Sequence, residues 1–312
     1  MAEQKNRRKF SLKWGLILLI IICWIVPVSI FSAATGYFIT QNINEQIDRT
    51  VNLSTNNSVK MAVSQIDAAA NSSRYASYNS TIANSWQTYK NDDDKTALYG
   101  RITAFLNQQY KYDEKFLVTT LYFCDDPDDV YYTFNEAYNA TYFGVKEYKT
   151  YVHDQVQALS ENLGTNIGFL YTDGRLYMVR NIVDNNYRPY AVITMQLNMD
   201  TLFAGIENVV WETDITIWLG DTPVVLDGQP IDWKDLGISF KNEKQSIETI
   251  GGSKYVYGMT RADSCRFRYV VGVDSSSLMQ EFSGVTTKLT WITILRRFRI
   301  ISTTRRSKPM TP

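Results

Sequence analysis

Between Lys13 and Glu45 the chain carries no charge. Residues 14–38 read WGLILLIIICWIVPVSIFSAATGYF. About 20 apolar residues cross a bilayer core, so this stretch is long enough to span one. Pro27 predicts a kink, which membrane helices tolerate. Trp14, Tyr37 and Phe38 stand where interfacial aromatics belong, and the basic residues before the run place its N-terminal end in the cytoplasm. A cleavable signal peptide is the rival reading, with Ser32-Ala33-Ala34 as its small-residue site, but the run exceeds the roughly 7–15 residues of a signal core. In either case residues 39–284 lie outside the cytoplasm.

The 312 residues hold 32 Lys+Arg and 32 Asp+Glu, a formal net charge of +0. That sum hides a segregation. Residues 1–13 carry Lys5, Arg7, Arg8, Lys9 and Lys13 against Glu3. Residues 285–312 carry Lys288, Arg296, Arg297, Arg299, Arg305, Arg306 and Lys308 and no acid. The body between them is therefore acidic. An acidic body with basic ends suits a membrane protein and argues against a nucleic-acid partner. An apolar fraction of 45% excludes disorder as the main state.

Residues 39–90 contain no proline, and their apolar positions fall at helical spacing: Ile43, Ile47, Val51, then Val59, Val63, Ile66 and Ala70. This predicts a long helical stalk with one apolar stripe, facing either a partner subunit or the domain that follows. The charged run NDDDK at 91–95 ends it. A larger unit at 91–198 has a helix over 96–110, strands at 116–123 and 130–134, and a helix over 145–163 stopped by Gly164. Three more strands at 167–171, 175–183 and 187–197 are joined by Asp173-Gly174 and Asp184-Asn185-Asn186, so they form an antiparallel meander. A short helix at 199–209 leads to a smaller unit at 199–284. Its strands are 214–219, 224–226, 246–250, 253–260 and 267–273, with Gly251-Gly252 as a hairpin signal. A helix from 275 to 282 returns toward the membrane. The class is α+β: transmembrane helix, stalk, and two tandem antiparallel sheet units.

This order resembles the extracytoplasmic double-Cache, PAS-like sensor region of bacterial receptors. Most of all it looks like that of Gram-positive YesM-like two-component sensor histidine kinases. The resemblance rests on the start NRRKFSLKW, the anchor WGLILLIIICWIVPV, the segment GFLYTDGRLYMVRNIVDNNYRPYAVITMQLNMDTL and the ending YVVGVDSSSLMQEF, and it covers about residues 1–290. It implies an unidentified small solute as ligand (amino acid, sugar or organic acid), a homodimer in the bilayer, and a ligand-driven population shift passed along rigid helices to a kinase. The sensor of a methyl-accepting chemotaxis receptor would have the same body. A surface-anchored solute-binding protein or hydrolase is the further alternative. Such receptors cross the membrane again. Here residues 289–295, LTWITIL, begin like that span and break into Arg296, Arg297 and Arg299. We read 285–312 as a truncated or frame-shifted second transmembrane region, with a native tail lying on anionic lipid as the competing reading.

The chemistry-bearing residues are few. One histidine, His153, excludes most Ser-His-Asp and His-rich metal sites and reads as a packing or surface residue. No catalytic set, metal site or cofactor motif emerges. Asp125, Asp126, Asp128 and Asp129 around Pro127 lack the alternation of a calcium loop and read as a solvated turn. Cys124 and Cys265 read as free buried thiols, with a single bridge as the alternative. Arg180 shares a strand face with Leu176, Met178 and Ile182. A buried arginine there needs a partner: a ligand carboxylate, an internal ion pair, or water reached by snorkelling. Tyr122, Tyr132 and Tyr190 on neighbouring strands would line a ligand pocket with it.

Overall fold

A computed structural model describes residues 15–16, 19, 22–23, 26–207, 212–240 and 243–274. Much of the apolar 14–25 stretch, the end of the 199–209 helix, the returning helix 275–282 and the 285–312 tail lie outside the described residues. Among the described residues no helix is long and apolar enough to cross a membrane. The chain divides into one unit of 1–51 with 288–312, and a second of 52–287 that holds both sheets.

The stalk is helical but not continuous. Helix α1 runs Val26–Tyr78 and helix α2 runs Ser80–Asp92, with a break at Asn79. The Asn79 side chain accepts from the Thr81 N–H at 2.8 Å, so it caps α2 and starts it afresh. NDDDK acts as expected and also more locally. Asp93 takes a left-handed conformation that closes α2, and Asp94 caps helix α3 (Lys95–Tyr110) through the Ala97 N–H at 2.9 Å.

Within 52–287 the buried residues of α1 are Thr55, Ser58, Val59, Ala62, Ile66, Ala69, Ala70, Ser73 and Ala76. They recur every three to four residues, as one helix face must. The stripe packs on the body of the same chain. Asp113 binds Ser72 at 2.9 Å, Gln245 binds the Asn52 side chain at 2.7 Å, and the Ser264 hydroxyl binds Asp67 at 3.1 Å.

The first sheet contains β1 (Phe116–Phe123), β2 (Asp126–Phe134), β3 (Ile167–Thr172), β4 (Arg175–Val183) and β5 (Pro189–Leu197). It is antiparallel in the order β2-β1-β5-β4-β3. Helix α6 (Met199–Glu207) leads to the second sheet: β6 (Glu212–Leu219), β7 (Thr222–Asp227), β8 (Ser246–Ile250), β9 (Ser253–Arg261) and β10 (Arg266–Val273). Its order, β7-β6-β10-β9-β8, is the same permutation. Both are the PAS-like arrangement, in which the first and last strands pair at the centre. The Thr222 hydroxyl donates to the Phe169 carbonyl at 2.9 Å and the Tyr171 hydroxyl to that of Val225 at 3.0 Å, tying β3 to β7.

Three expectations change. The acidic residues after β1 are not a loop: β2 begins at Asp126, which pairs with Phe123, so the turn is only Cys124-Asp125. Their charges are balanced by Lys90 on Asp125 at 2.6 Å and by Lys95 between Asp126 and Asp129. The 145–163 helix is three pieces: α4 (Tyr142–Glu147), a widened π turn (Tyr148–Val152) and α5 (His153–Ser160). The cysteines are free, but Cys124 is exposed and Cys265 half-buried.

Candidate functional site

Both faces of the first sheet are covered, and β4 shows what lies on each. Leu176, Met178, Arg180 and Ile182 are buried toward α1. There the Arg180 Nε donates to the Ser73 hydroxyl at 2.9 Å and its Nη2 to the Ala70 carbonyl at 3.3 Å. Tyr177 and Val179 point the other way, into a cluster with Tyr122, Val130, Tyr148, Val152, Val156 and Val192. Asn181 belongs to this second face, donating to the Ser160 carbonyl at 2.8 Å.

The second face is a floor of hydroxyls under the helices. Ser160 donates to the Gln157 carbonyl at 2.7 Å, so the Tyr122 hydroxyl is the donor in its 3.3 Å bond to Ser160. Tyr148 donates to Thr194 at 3.3 Å. Burial pushes Tyr122 up to about 12 and Tyr148 higher still, so both stay neutral donors. His153, 8% exposed, stands edge-on to Tyr122 and Tyr148 with ring centroids 4.9 and 5.8 Å away. Neither of its nitrogens meets the geometry of a hydrogen bond, the Pro127 carbonyl being only a near neighbour, and burial lowers its pKa.

At the edge of this floor an ion pair crosses from sheet to helix. Arg175 Nη1, at the start of β4, lies 2.5 Å from Glu147 Oε2, at the end of α4. A hollow of about 220 Å³ opens on each side of it. One is bordered by Val118, Asn139, Gly144 and Gln196, the other by Tyr151, Thr172, Asp173 and Tyr177; Arg175 and Glu147 border both. The π turn immediately follows Glu147. Such turns widen a helix by one residue and are frequent at functional sites. The glycine at 144 keeps the first hollow open, because a Cβ there would come within 3.2 Å of Val118 and 4.0 Å of Gln196.

The four residues expected to form one pocket are not brought together. Tyr122 is in the floor. Tyr132 belongs to the same face but packs at a tilt against Tyr142, with ring centroids 5.6 Å apart, under Lys149. Tyr190 lines a different groove, beside the stalk break. Arg180 is on the stalk face, and among the described residues no carboxylate lies within ion-pair distance of it. Its hydrogen-bond partners are the Ser73 hydroxyl and the Ala70 carbonyl of the stalk. Arg175, Glu147, Tyr151 and Gln196 escaped sequence reasoning. The available signal was that Arg175 and Tyr177 share the face opposite Arg180. Among the described residues no group of His, Cys, Asp and Glu could hold a metal ion.

No protein-family model matches the chain, and no curated protein matches it. Solved structures similar in shape include the periplasmic sensory domain of the Campylobacter jejuni chemoreceptor Tlp1, at 11% identity, 70% of this chain, 93% of that one and a TM-score of 0.42. Another is the ligand-binding domain of the Pseudomonas fluorescens chemoreceptor CtaA in complex with L-isoleucine, at 10% identity, 77% and 98% coverage and a TM-score of 0.41. A third is the ligand-binding domain of the Pseudomonas aeruginosa PAO1 amino acid chemoreceptor PctB in complex with L-Arg, at 12% identity, 61% and 78% coverage and a TM-score of 0.38.

Proposed function

We propose that this chain is the solute-sensing part of a membrane-anchored receptor of the double-Cache kind, and that its ligand is a small zwitterion of the amino-acid class. The observation that carries the reading is the Arg175–Glu147 pair set between two hollows above a tyrosine floor. A zwitterion can replace that pair with two of its own, its carboxylate on the Arg175 fork and its ammonium on Glu147. Gln196 on one side and Tyr151 and Tyr177 on the other then orient what remains of the solute. Residues 14–38 serve as the anchor, with the N-terminus cytoplasmic and 39–284 outside. Two copies pair in the bilayer, and ligand closure of α4 and α5 on the sheet shifts the population of stalk arrangements. The output in this reading is a two-component histidine kinase; a chemotaxis receptor would use the same body.

The test is calorimetry on the full chain in nanodiscs with L-amino acids, their decarboxylated amines, and carboxylic acids of the same side chain. Binding of amino acids alone, weakened about tenfold or more by Arg175→Gln, supports the reading. Equal binding of amine or acid, or unchanged affinity in Arg175→Gln and Glu147→Gln, overturns it. Exposed Cys124 gives the orientation. A membrane-impermeant maleimide should label it on intact cells, and labelling only after lysis would place the body inside.

A further inference from the structure

The break in the stalk at Asn79 leaves a second cavity, on the other side of the first sheet from the hollows at Arg175. Its volume is about 510 Å³, within the roughly 300–1,000 Å³ of small-molecule sites. It lies between the end of α1, the first turns of α2 and the β4–β5 connection. Three aromatic residues form its walls, Tyr78, Trp86 and Tyr190. Trp86 is stacked on Phe123 at 4.0 Å and is 7% exposed, a fixed wall. Tyr78 is 82% exposed, so its ring is uncovered.

The charged residues at the rim are already engaged. Lys90 is 2.6 Å from Asp125 and lies 5.1 Å over the Trp86 ring. Asp184 accepts the N–H groups of Asn186 and Arg188 at 2.8 and 2.9 Å. The polar groups without a hydrogen-bond partner among the described residues are neutral: the Ser77 hydroxyl, the Gln87 and Asn185 amides and the Tyr190 hydroxyl. The Ser77 hydroxyl is also shut off from solvent, an arrangement that costs free energy until something bonds to it. Burial raises Tyr190 to about 12, so its hydroxyl stays a neutral donor. Such a lining neither attracts an ion nor suits a wholly apolar ligand.

We propose that this groove binds a neutral saccharide, with a C–H face of the sugar ring on Tyr78 and its hydroxyls on Gln87, Asn185 and Tyr190. Aromatic faces carry negative charge that C–H groups approach favourably, and side-chain amides can donate and accept at once, as vicinal hydroxyls require. Occupancy would join the end of α1 to the β4–β5 connection, at the point where the stalk changes direction.

The experiment uses the full chain in nanodiscs, free of glycosidic detergent. D-glucose, D-galactose, D-xylose, maltose and cellobiose are titrated with tryptophan fluorescence and calorimetry as readouts. At least one should bind with a Kd below about 1 mM. Tyr78→Ala and Gln87→Ala, both at exposed positions that leave the fold intact, should each weaken it about fivefold or more, while Arg175→Gln leaves it unchanged. Absence of binding by every one of these sugars at about 10 mM, binding indifferent to both variants, or binding abolished by Arg175→Gln overturns the proposal. Because Arg175→Gln governs amino-acid binding and Tyr78→Ala does not, failure here is distinct from failure of the sensor reading.

Discussion

Arg180 offers a severe test of how the two faces of the first sheet are assigned. Its guanidinium is 7% exposed, with neutral partners in Ser73 and Ala70. Burial, reinforced by the nearby Arg74, pulls its pKa from 12.5 down to about 10. At about 1.4 kcal/mol per pH unit, keeping it charged at neutral pH costs the fold roughly 3 kcal/mol. Its two hydrogen bonds, to neutral acceptors and one of them long at 3.3 Å, return about 1.5 kcal/mol each, the low end for a charged donor, so the group is close to break-even. Replacing it by methionine removes cost and return together and keeps an unbranched apolar stem. Nothing is orphaned, since the Ser73 hydroxyl already donates to the Ala70 carbonyl at 2.7 Å. Arg180→Met should therefore unfold in urea within about 1 kcal/mol of wild type with the same m-value. Arg180→Ala also deletes the stem from a close-packed layer and should lose about 2–4 kcal/mol. Solute binding at the Arg175 hollows should be intact in the methionine variant. A loss of more than about 3 kcal/mol in Arg180→Met would mean that the guanidinium stabilises on balance through an anion. Loss of binding with stability kept would put the ligand on the stalk face. Either result refutes the assignment.

Three further outcomes can be measured. His153 has a lowered folded-state pKa, so the unfolded chain takes up its proton first. Stability should fall as pH drops below about 6.5, by at most about 1.4 kcal/mol per unit, and His153→Phe should flatten that slope in pH-resolved melts. Asp67 accepts from the Asp263 and Ser264 N–H groups at 3.1 and 3.3 Å and from the Ser264 hydroxyl. Asp67→Ala should cost about 1–3 kcal/mol and speed amide exchange in the 262–265 turn, leaving exchange in β1 and β5 unchanged. At Gly258 a Cβ would meet the buried Tyr269 ring at 2.5 and 2.8 Å and the Gln245 backbone at 3.2 Å, so Gly258→Ala should destabilise by about 1–3 kcal/mol in thermal melts; an unshifted midpoint would show that the ring can move aside.

Much of the fold was legible because its elements keep their periods. Strands 116–123, 175–183 and 246–250 match β1, β4 and β8 residue for residue. The failures have local causes. Asp and Pro are poor strand formers, so 126–129 read as a loop, yet pairing with β1 and Lys95, which binds both Asp126 and Asp129, hold them in β2. Asn79 sits in a run so rich in Asn, Ser and Thr that a cap cannot be told from its neighbours. The π turn leaves no distinctive mark on the sequence, since Tyr, Lys, Thr and Val of 148–152 all occur within ordinary helices and none is Gly or Pro.

The scatter of the four expected pocket residues has a deeper cause. Alternation along a strand tells which residues share a face, but β4 is buried on both faces, so it cannot tell which face meets the ligand. The face with Arg180 draws notice in the sequence because a buried arginine needs a partner, a ligand carboxylate being one and an internal ion pair another. What distinguishes the two sides lies in the covering helices. On one side α1 presents Ala62, Ala69, Ala70, Ser73 and Ala76, side chains small enough for a helix to lie close over Arg180, and space opens on that side only where α1 ends. On the other, α4 and α5 present Tyr148, Tyr151 and His153 across a widened turn, and large side chains on an irregular helix leave hollows. Where a strand is apolar on both faces, the size of the residues facing it is the better guide to where a solute fits. By that criterion, Arg175 rather than Arg180 is the arginine that borders open space, under α4 and the π turn.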